Sequence, residues 1–332
     1  MRKVRVGLLG VSWWTEIVWP GFSSAENAEI TWVAARNGEK ARDFAERNGI
    51  PHWTDNYLEL IGAPDVDAIF IAVPNYLHEE MALAALAKGK HVLQEKPMAL
   101  TVEKAIAQKR VADHRELSLM VNQELRLADG VSDLPELIDS RIGPLRKVVI
   151  GVTLAPSPWE GWRADPKLSG GTLFEMIIHE LDLARWLWKR NPERVIAMGD
   201  DAPCKDLSVL LDFGHGDSAV IDVCWRSIGF RIRVECYGER GYLLREAELP
   251  FGSGRQTIVT SEGREESEFE ASIQGQATFK RVMEAFCDSV LNGCPGPITS
   301  HDGVWAVRMA QAARESLHSG QAVDLSGVIK PL

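Results

Sequence analysis

The chain has 332 residues, 45% of them hydrophobic, which is enough for two domains with hydrophobic cores. Its 37 Lys and Arg residues are outnumbered by 47 Asp and Glu residues, which gives a formal net charge of −10. This acidic balance argues against a nucleic-acid-binding protein, because such proteins need a basic surface to neutralise phosphates.

The cysteines and the apolar segments favour a soluble protein of a reducing compartment. The five cysteines form no CxxC or Cys/His ligand spacing, so we expect reduced thiols and no metal site. The first apolar run begins a few residues after Met1 and is too short for the core of a signal peptide. No apolar run reaches the length of a membrane span. We therefore expect a cytoplasmic protein without membrane association.

The first predicted element is a buried strand, Val4 to Leu9, which Gly10 ends. The next residues stand where a dinucleotide-binding fold has its glycine-rich turn, with a helix N-terminus facing the pyrophosphate. Only the first glycine is present: Ser12 occupies the second glycine position and Thr15 the third. The motif is weak by itself, and an ordinary strand-to-helix turn is the alternative.

A second strand-like run ends at Ala35, about 25 residues after Gly10, where the residue that contacts the cofactor ribose is expected. Arg36 and Asn37 follow, and there is no Asp or Glu here to bind the ribose hydroxyls. Arg36 is suited to bind a 2′-phosphate, so the sequence favours NADP over NAD. An exposed loop arginine is the alternative.

Strands and helices then alternate up to about residue 123. The predicted elements are a helix at 38–48, a strand at 66–73, a helical segment at 82–88, a strand at 91–93, a helix at 102–115 and a strand at 118–121. This alternation predicts a doubly wound parallel sheet that binds ligands at the carboxyl ends of its strands. Pro74, Asn75, His78 and Gln123 follow such strand ends, so we expect them in one crevice with Gly10.

The strand at 91–93 leads directly into Gln94-Glu95-Lys96-Pro97. Pro97 disfavours a helical conformation of Lys96, so the lysine is expected in a turn at the strand end. A lysine fixed beside a carboxylate is suited to act as a proton donor or a substrate clamp. A solvated Glu–Lys pair is the alternative.

From about residue 141 the pattern changes to strand-like runs joined by short turns. The predicted strands are 145–154, 207–213, 218–225, 230–237 and 241–244. They predict a largely antiparallel sheet with one open face. They are followed by polar segments at 252–263 and 265–270, read as a hairpin or loop, and by amphipathic helices at 277–291 and 303–317. We therefore predict a dinucleotide-binding domain at 1–123 and a second α/β domain at 124–332.

One helix of the second half carries polar residues within apolar surroundings. It begins after Gly170-Gly171-Thr172 and places Glu175, His179 and Asp182 at i, i+4 and i+7, on one face. A buried carboxylate and imidazole are costly unless they are paired or used. Glu175 at this spacing can accept one ring N–H of His179 and leave the other nitrogen as a base. A structural Glu–His pair, or a face turned to water, is the alternative.

Taken together, these motifs resemble the glucose–fructose oxidoreductase / inositol dehydrogenase (Gfo/Idh/MocA) family almost from end to end. The resemblance is most specific at Glu95-Lys96-Pro97. The segments that carry it are Val6-Gly7-Leu8-Leu9-Gly10, residues 67–75 with His78, residues 89–97, Trp162-Arg163, Gly170-Gly171-Thr172-Leu173 with Glu175, residues 179–182 and Ser300-His301-Asp302-Gly303.

The resemblance implies a Rossmann domain followed by an α/β domain whose open sheet joins subunits, and hence a homodimer or homotetramer. It implies an oxidoreductase that uses NAD or NADP on a hydroxyl-bearing carbon of a sugar, cyclitol or related polyol. It also implies a catalytic set of Lys96, His179 and Glu175. In this set His179 takes the hydroxyl proton and Lys96 hydrogen-bonds the same oxygen, while Asp182 binds or orients the substrate.

The remaining site predictions concern the cofactor and the substrate ring. Trp162 and Trp159 lie in a loop that is expected to offer an aromatic platform for a sugar ring or for the nicotinamide, with burial in the core as the alternative. The predicted cofactor-binding residues are Gly10, Ser12, Trp13, Trp14, Arg36, Asn37, Pro74, Asn75, His78, Glu95, Lys96, Gln123 and Arg163.

The chain also departs from the family pattern. Ser12 and Thr15 replace glycines, the Trp13-Trp14 pair adds bulk, and Glu175 replaces the usual aspartate. Two other functions are compatible with the sequence: an NAD-dependent glycosidase of the same family, and a non-enzymatic cofactor-binding regulator. The altered glycine turn motivates the regulator, whereas the retained lysine and histidine argue against it.

Overall fold

The protein is described by a computed structural model at residues 2–155, 159–248, 251–272 and 274–327. The chain forms two compact units, Met1–Glu124 with Gln274–Val307, and Leu125–Ile273 with Arg308–Leu332. Across the described ranges, no helix is both long and apolar enough to cross a lipid bilayer.

The first unit is built on a six-stranded parallel sheet. Its strands are β1 (Val4–Leu9), β2 (Ala28–Ala34), β3 (His52–Thr54), β4 (Ala68–Ile71), β5 (His91–Glu95) and β6 (Leu119–Asn122). The strand order is β3-β2-β1-β4-β5-β6, with all neighbours parallel. This is the order of a dinucleotide-binding sheet, with the topological switch point between β1 and β4. The predicted Rossmann sheet is therefore confirmed.

Helices connect these strands as a doubly wound fold requires. They are α1 (Trp13–Ser23), α2 (Gly38–Asn48), α3 (Tyr57–Gly62), α4 (His78–Ala87) and α5 (Val102–His114). Side-chain caps begin four of them, because an oxygen of the residue before the helix accepts a hydrogen bond from a backbone N–H of its first turn. The capping residues are Ser12 for α1, Asn37 for α2, Asn56 for α3 and Thr101 for α5. A short 3-10 turn, Asn75–Leu77, precedes α4.

The second unit is built on a nine-stranded, mostly antiparallel sheet. Its strands are β7 (Leu145–Thr153), β8 (Arg194–Gly199), β9 (Leu207–Asp212), β10 (Ser218–Cys224), β11 (Arg231–Gly238), β12 (Gly241–Glu248), β13 (Phe251–Thr260), β14 (Gly263–Ser272) and β15 (Val323–Asp324). The order is β14-β13-β12-β11-β7-β10-β9-β8-β15, and among the described residues of this sheet only β7 and β10 pair in parallel. Buried and more exposed residues alternate along β9, β10 and β11, as a sheet with one covered face requires. The predicted fold class is confirmed.

The second unit also contains three helices and several helical turns among its described residues. They are α6 (Leu134–Leu137), α7 (Pro166–Ser169) and α8 (Ile178–Trp188), with π-helical turns at Ile138–Ile142 and Leu173–Ile177 and 3-10 turns at Glu124–Leu127 and Gly161–Ala164. The helix α8 packs against β7 and β10. The sequence predicts one continuous helix after Thr172, and the structure instead begins it with the π-helical turn Leu173–Ile177.

The last two helices are α9 (Gln276–Asn292) and α10 (Ser300–Ser319). The helix α9 packs against α1, where Phe279 contacts the rings of Trp14 and Phe22 edge-on. For this reason residues 274–307 belong to the first unit, although the predicted second domain runs from 124 to 332. The first change of unit along the chain falls between Glu124 and Leu125.

Candidate active site

The strand ends of the first unit bring most of the predicted cofactor residues to one edge of the sheet. Gly10 follows β1, Pro74 and Asn75 follow β4, Lys96 follows β5 and Gln123 follows β6. Because the strands are parallel, all these positions lie at the carboxyl edge, where open α/β sheets bind their ligands. Asn75 and Gln123 are buried there.

The turn after β1 fits a dinucleotide although two of its glycines are replaced. Gly10 has φ +115°, and a Cβ atom there would lie 2.3 Å from the carbonyl oxygen of Ala72, so glycine is required. Ser12 caps α1 by accepting a hydrogen bond from the Trp14 N–H. Thr15 accepts one from the Ser12 N–H at 3.2 Å and donates to the Gly10 carbonyl at 2.9 Å. The replacements therefore form a capping box that fixes the N-terminus of α1, the end that attracts a pyrophosphate.

The Glu95 side chain lies under the Lys96 turn and is 5% exposed. Its Oε1 atom accepts hydrogen bonds from Trp14 Nε1 and Asn122 Nδ2, both at 2.7 Å. Burial raises the pKa of Glu95, and the bonds from Trp14 and Asn122, the Lys96 charge and a bond from the Lys96 backbone N–H oppose this rise. Through these hydrogen bonds Glu95 holds the Lys96 turn in place. This contact was not anticipated from the sequence, because 81 residues separate Trp14 from Glu95.

His78 fixes the same turn from another side. Its Nδ1 atom lies 2.6 Å from the carbonyl oxygen of Pro97, and its Nε2 atom lies 2.8 Å from the carbonyl oxygen of Val73. The donor roles of the two ring nitrogens depend on the tautomer. The imidazole is 1% exposed and ties the turn after β4 to the turn after β5. Its predicted contact with the cofactor stays a prediction.

Two glutamines complete the support of the Lys96 turn. Gln94 Nε2 and Gln108 Nε2 donate to the carbonyl oxygen of Met98 at 2.6 and 2.7 Å. Both side chains are fully buried. Lys96 itself is half-buried and stands at the end of this fixed segment.

The predicted ribose end of the crevice carries an exposed Arg36. Burial raises the pKa of the nearby Tyr57 hydroxyl, and a hydrogen bond from the Arg36 backbone opposes this rise. Asn37 uses its side-chain oxygen to cap α2, as described above.

In the second unit, all three residues of the predicted polar stripe are buried: Glu175, His179 and Asp182 are 7%, 9% and 1% exposed. Glu175 lies in the π-helical turn and His179 in the first turn of α8. The spacing argument assumed an uninterrupted α-helix, and the i→i+5 bonding of the π-turn changes the angle between the two side chains. The predicted Glu175–His179 hydrogen bond stays a prediction.

Both carboxylates of the stripe accept hydrogen bonds from arginines. Arg163 Nε donates to Glu175 Oε1 at 2.8 Å. Arg126 Nε and Nη2 donate to the two oxygens of Asp182 at 2.7 and 2.5 Å, in a pair whose side chains are 4% and 2% exposed. Asp182 is thus part of a buried, bidentate ion pair, and its predicted contact with substrate stays a prediction. Nothing in the sequence spacing pointed to Arg126.

Arg163 also contacts Trp162, so it connects Glu175 to the loop that carries Trp159 and Trp162. Its guanidinium lies 4.5 Å from the centroid of the Trp162 ring, in the 3-10 turn Gly161–Ala164. Trp162 is half-buried, so part of its ring faces solvent. Trp159 instead packs edge-on against Trp225, with ring centroids 5.5 Å apart. Of the two tryptophans, Trp162 is the one next to the polar stripe.

The start of the stripe is fixed by an aspartate that sequence reasoning missed. Asp201 Oδ1 accepts a hydrogen bond from the Leu173 N–H at 2.8 Å, and Arg314 Nε donates to Asp201 Oδ2 at 2.8 Å. Gly171 has φ +69°, and a Cβ atom there would lie 2.4 Å from the Asp201 carbonyl oxygen. The Gly170-Gly171 pair therefore lets the chain approach Asp201 closely at the entry to the helix.

Comparison with known proteins agrees with this architecture in both halves. The family model described as oxidoreductase family, NAD-binding Rossmann fold, matches residues 4–123. The model of the GFO/IDH/MocA C-terminal domain matches residues 133–244.

Similar proteins match the chain over nearly its full length. A 1,5-anhydro-D-fructose reductase of Ensifer adhaerens is 27% identical, and the match covers 97% of this chain and 98% of the relative. A myo-inositol 2-dehydrogenase of Thermotoga maritima is 25% identical, with 98% and 100% covered. A crystal structure of aldose–aldose oxidoreductase from Caulobacter crescentus, complexed with glycerol, is 25% identical and superimposes with a TM-score of 0.86, covering 98% of this chain and 100% of that one. With the strand order and the Gly10 turn, these matches show that the chain belongs to the Gfo/Idh/MocA family and is an oxidoreductase with an NAD(P)-binding Rossmann fold.

Proposed function

We propose that this enzyme transfers a hydride between NAD(P) and a hydroxyl-bearing carbon of a sugar, cyclitol or related polyol. The observation that carries the proposal is the setting of Lys96, which follows β5 at the carboxyl edge of the Rossmann sheet, in a turn fixed by Glu95 and His78. The names of the relatives, an anhydro-sugar reductase and an inositol dehydrogenase, support the substrate class.

The proton-transfer roles are assigned to Lys96 and His179. Lys96 donates a hydrogen bond to the reacting oxygen, and His179 takes the hydroxyl proton in the oxidation and returns it in the reduction. Bound NAD(P) supplies the nicotinamide carbon that accepts or releases the hydride. His179 suits this role because its ring is 9% exposed and an imidazole can exchange a proton near neutral pH.

The two carboxylates of the stripe are given supporting roles. Glu175 stabilises the protonated form of His179 through its negative charge and stands in for the aspartate of the family pattern. Asp182 orients substrate groups together with Arg126, since its carboxylate and this guanidinium form one buried unit. Trp162 offers its half-exposed ring to the apolar face of the substrate.

The cofactor is proposed to bind along the carboxyl edge of β1, β4, β5 and β6. The capping box at Ser12 directs the N-terminus of α1 to the pyrophosphate, and Arg36 with Asn37 faces the adenosine ribose. The other proposed contacts are Gly10, Trp13, Trp14, Pro74, Asn75, His78, Glu95, Lys96, Gln123 and Arg163. NADP is favoured over NAD because the segment after β2, Ala35-Arg36-Asn37, carries an exposed guanidinium and no carboxylate.

We propose that the open face of the second sheet joins two or four copies of the chain. Large hydrophobic residues are exposed on this sheet: Met198 in β8 is 73% exposed and Leu210 in β9 is 38% exposed. Light scattering coupled to size-exclusion chromatography measures the assembly. A monomer at micromolar concentration contradicts this part of the proposal.

Hydride transfer is tested by following the absorbance of the reduced nicotinamide. Purified protein is assayed with NAD and NADP against myo-inositol, 1,5-anhydro-D-fructose and a panel of aldoses. Lys96→Ala and His179→Ala are expected to lower kcat by about 10²- to 10⁴-fold. Lys88→Ala and His318→Ala remove exposed residues of the same types and serve as controls. Turnover at the wild-type rate by either site variant contradicts the mechanism, and cleavage of a glycoside without net reduction of the cofactor indicates a glycosidase.

Cofactor preference is tested at one position. Arg36→Asp removes the guanidinium and introduces the carboxylate that binds ribose hydroxyls, so we expect the variant to prefer NAD by about 10-fold or more. Calorimetric titration of both cofactors into wild type and variant measures this ratio. Tighter binding of NAD than NADP by the wild type contradicts the role of Arg36, and Arg42→Asp, on the exposed surface of α2, controls for the change of charge.

A further inference from the structure

The Trp14 side chain occupies an unusual place in the nucleotide turn. It lies in the first turn of α1, where the sequence departs from the glycine pattern by adding bulk. The indole is half-buried and packs edge-on against Trp13 and Phe279, with ring centroids 5.5 and 5.6 Å apart. Its orientation is therefore set by aromatic neighbours on both sides.

This orientation directs the indole N–H at the residue before the lysine. Trp14 Nε1 donates to Glu95 Oε1 at 2.7 Å, and Asn122 Nδ2 donates to the same oxygen at 2.7 Å. The Glu95 carboxylate in turn accepts a hydrogen bond from the Lys96 backbone N–H. A continuous series of bonds thus connects the start of α1 and the end of β6 to the backbone of Lys96.

The chemistry of the two donors suits a positioning role. A buried carboxylate requires hydrogen-bond donors, and an arginine or lysine here would add a second positive charge beside the Lys96 ammonium. The indole and the amide satisfy Glu95 without adding charge. The negative charge of Glu95 therefore remains available to Lys96, while its position is fixed by neutral groups.

We propose that Trp14 is a positioning residue that acts on Lys96 through Glu95, and that the bulk in the nucleotide turn serves this bond. The inference rests on the proposed function for the role of Lys96. It adds to the proposed contact of the Trp14 ring with the cofactor, because it assigns the effect of the indole N–H to kcat and not to cofactor affinity.

The kinetic test uses Trp14→Phe, which keeps a ring against Phe279 and removes the N–H. We expect kcat to fall by about 10-fold, with the dissociation constant of the cofactor changed by less than about 2-fold. The double variant Trp14→Phe/Glu95→Gln is expected to be no slower than the slower single variant, because both changes remove the same link. A weaker cofactor affinity with unchanged kcat, or effects that multiply in the double variant, overturns the inference.

The control is another indole–carboxylate pair of the same unit. Trp32 Nε1 donates to the two oxygens of Asp65 at 3.1 and 3.0 Å, outside the strand-end turns. Trp32→Phe removes the same kind of bond, and we expect it to leave kcat and cofactor affinity at wild-type values. If Trp32→Phe lowers kcat as much as Trp14→Phe does, the effect is general to the fold and the inference fails.

A spectroscopic arm tests the link without turnover. The signal of Trp14 among the 11 indole N–H signals of ¹⁵N-labelled protein is identified by its loss in Trp14→Phe. We expect Glu95→Gln to change the chemical shift of this signal, and Asp65→Asn to change the chemical shift of the Trp32 signal. If the wild type turns over none of the sugars and polyols with either cofactor, the proposed function fails. The Trp14 signal then still decides whether the Trp14–Glu95 hydrogen bond exists. A Trp14 signal that Glu95→Gln leaves in place overturns the inference in either case.

Discussion

Around Lys96 the polar groups are fixed mainly by neutral partners, such as the indole of Trp14 and the amide of Asn122. In the second unit, by contrast, the buried carboxylates of Glu175 and Asp182 each accept hydrogen bonds from an arginine outside the helix. Loss of a neutral donor removes one hydrogen bond, whereas loss of an arginine also removes a positive charge beside a buried carboxylate. The second region is therefore expected to be the more sensitive of the two to single substitutions.

The largest effect is expected from Arg126→Met. It removes both bonds to Asp182 while the carboxylate stays buried, so the free energy of unfolding should fall by about 3–5 kcal/mol. Urea denaturation followed by circular dichroism measures this change. Adding Asp182→Leu should restore much of the loss, since no charge is then buried. Arg194→Met breaks an exposed pair with Asp212 and should cost less than about 1 kcal/mol; an equal loss in both variants contradicts the comparison.

An intermediate effect is expected in the first unit from Thr15→Val. This change keeps the shape of the side chain and removes the hydroxyl that bonds the Gly10 carbonyl and the Ser12 N–H. The free energy of unfolding should fall by about 1–2 kcal/mol, as for the loss of a helix cap. The same urea experiment measures it, with Thr15→Ser as the variant that keeps the hydroxyl. A Thr15→Val protein as stable as wild type shows that the capping box does not fix this turn.

The smallest effect is expected in the pH dependence of stability. Burial raises the pKa of Glu95 above its unfolded value of about 4.3, so the contribution of this group is present below that pH and is lost as the pH rises through the folded pKa. The stability of Glu95→Gln relative to wild type should therefore increase with pH.

A carboxylate of the second unit should show the opposite slope. The hydrogen bond from Arg245 lowers the pKa of Asp133, so its contribution is present above the unfolded pKa and is lost as the pH falls through the folded pKa. Urea unfolding of Glu95→Gln and of Asp133→Asn, each compared with wild type from about pH 2 to about pH 8, measures the two slopes. Slopes of the same sign contradict the assignment.

The fold was predictable where burial leaves a periodic pattern. The strands β1, β4 and β6 are mostly apolar and buried. Their alternation with helices in the sequence predicted the parallel sheet. The strand β3 has three residues, two of them exposed, and so carries no such pattern. The hairpin of β13 and β14 has a polar sequence, and most of β14 is exposed. Pairing of the two strands, rather than burial, therefore stabilises it.

The extent of the units was harder to predict than their elements. The amphipathic pattern of α9 shows that one face is buried, but it does not show which core covers that face. In the structure Phe279 packs against α1, more than two hundred residues earlier in the chain. Such a contact depends on the tertiary fold and has no local signal.

The same distinction holds for the candidate site. The sequence identified Lys96, Glu175, His179 and Asp182 as polar residues at a strand end or within an apolar helix, and the last three are buried as expected. It did not identify the partners that fix them, such as Arg126, because these lie far away in the chain. A π-helical turn also escapes a reading based on α-helical spacing.

The one parallel pair of the second sheet has a consequence for how the protein folds. Neighbouring parallel strands cannot be joined by a hairpin, and the chain between β7 and β10 includes α8, which packs on both strands. The centre of the sheet therefore has to close over a long loop, at an entropic cost that slows folding. Formation of the helix that carries His179 and formation of the sheet centre are thus expected to be steps of one cooperative event, so that a chain with an intact second sheet also has this helix in place.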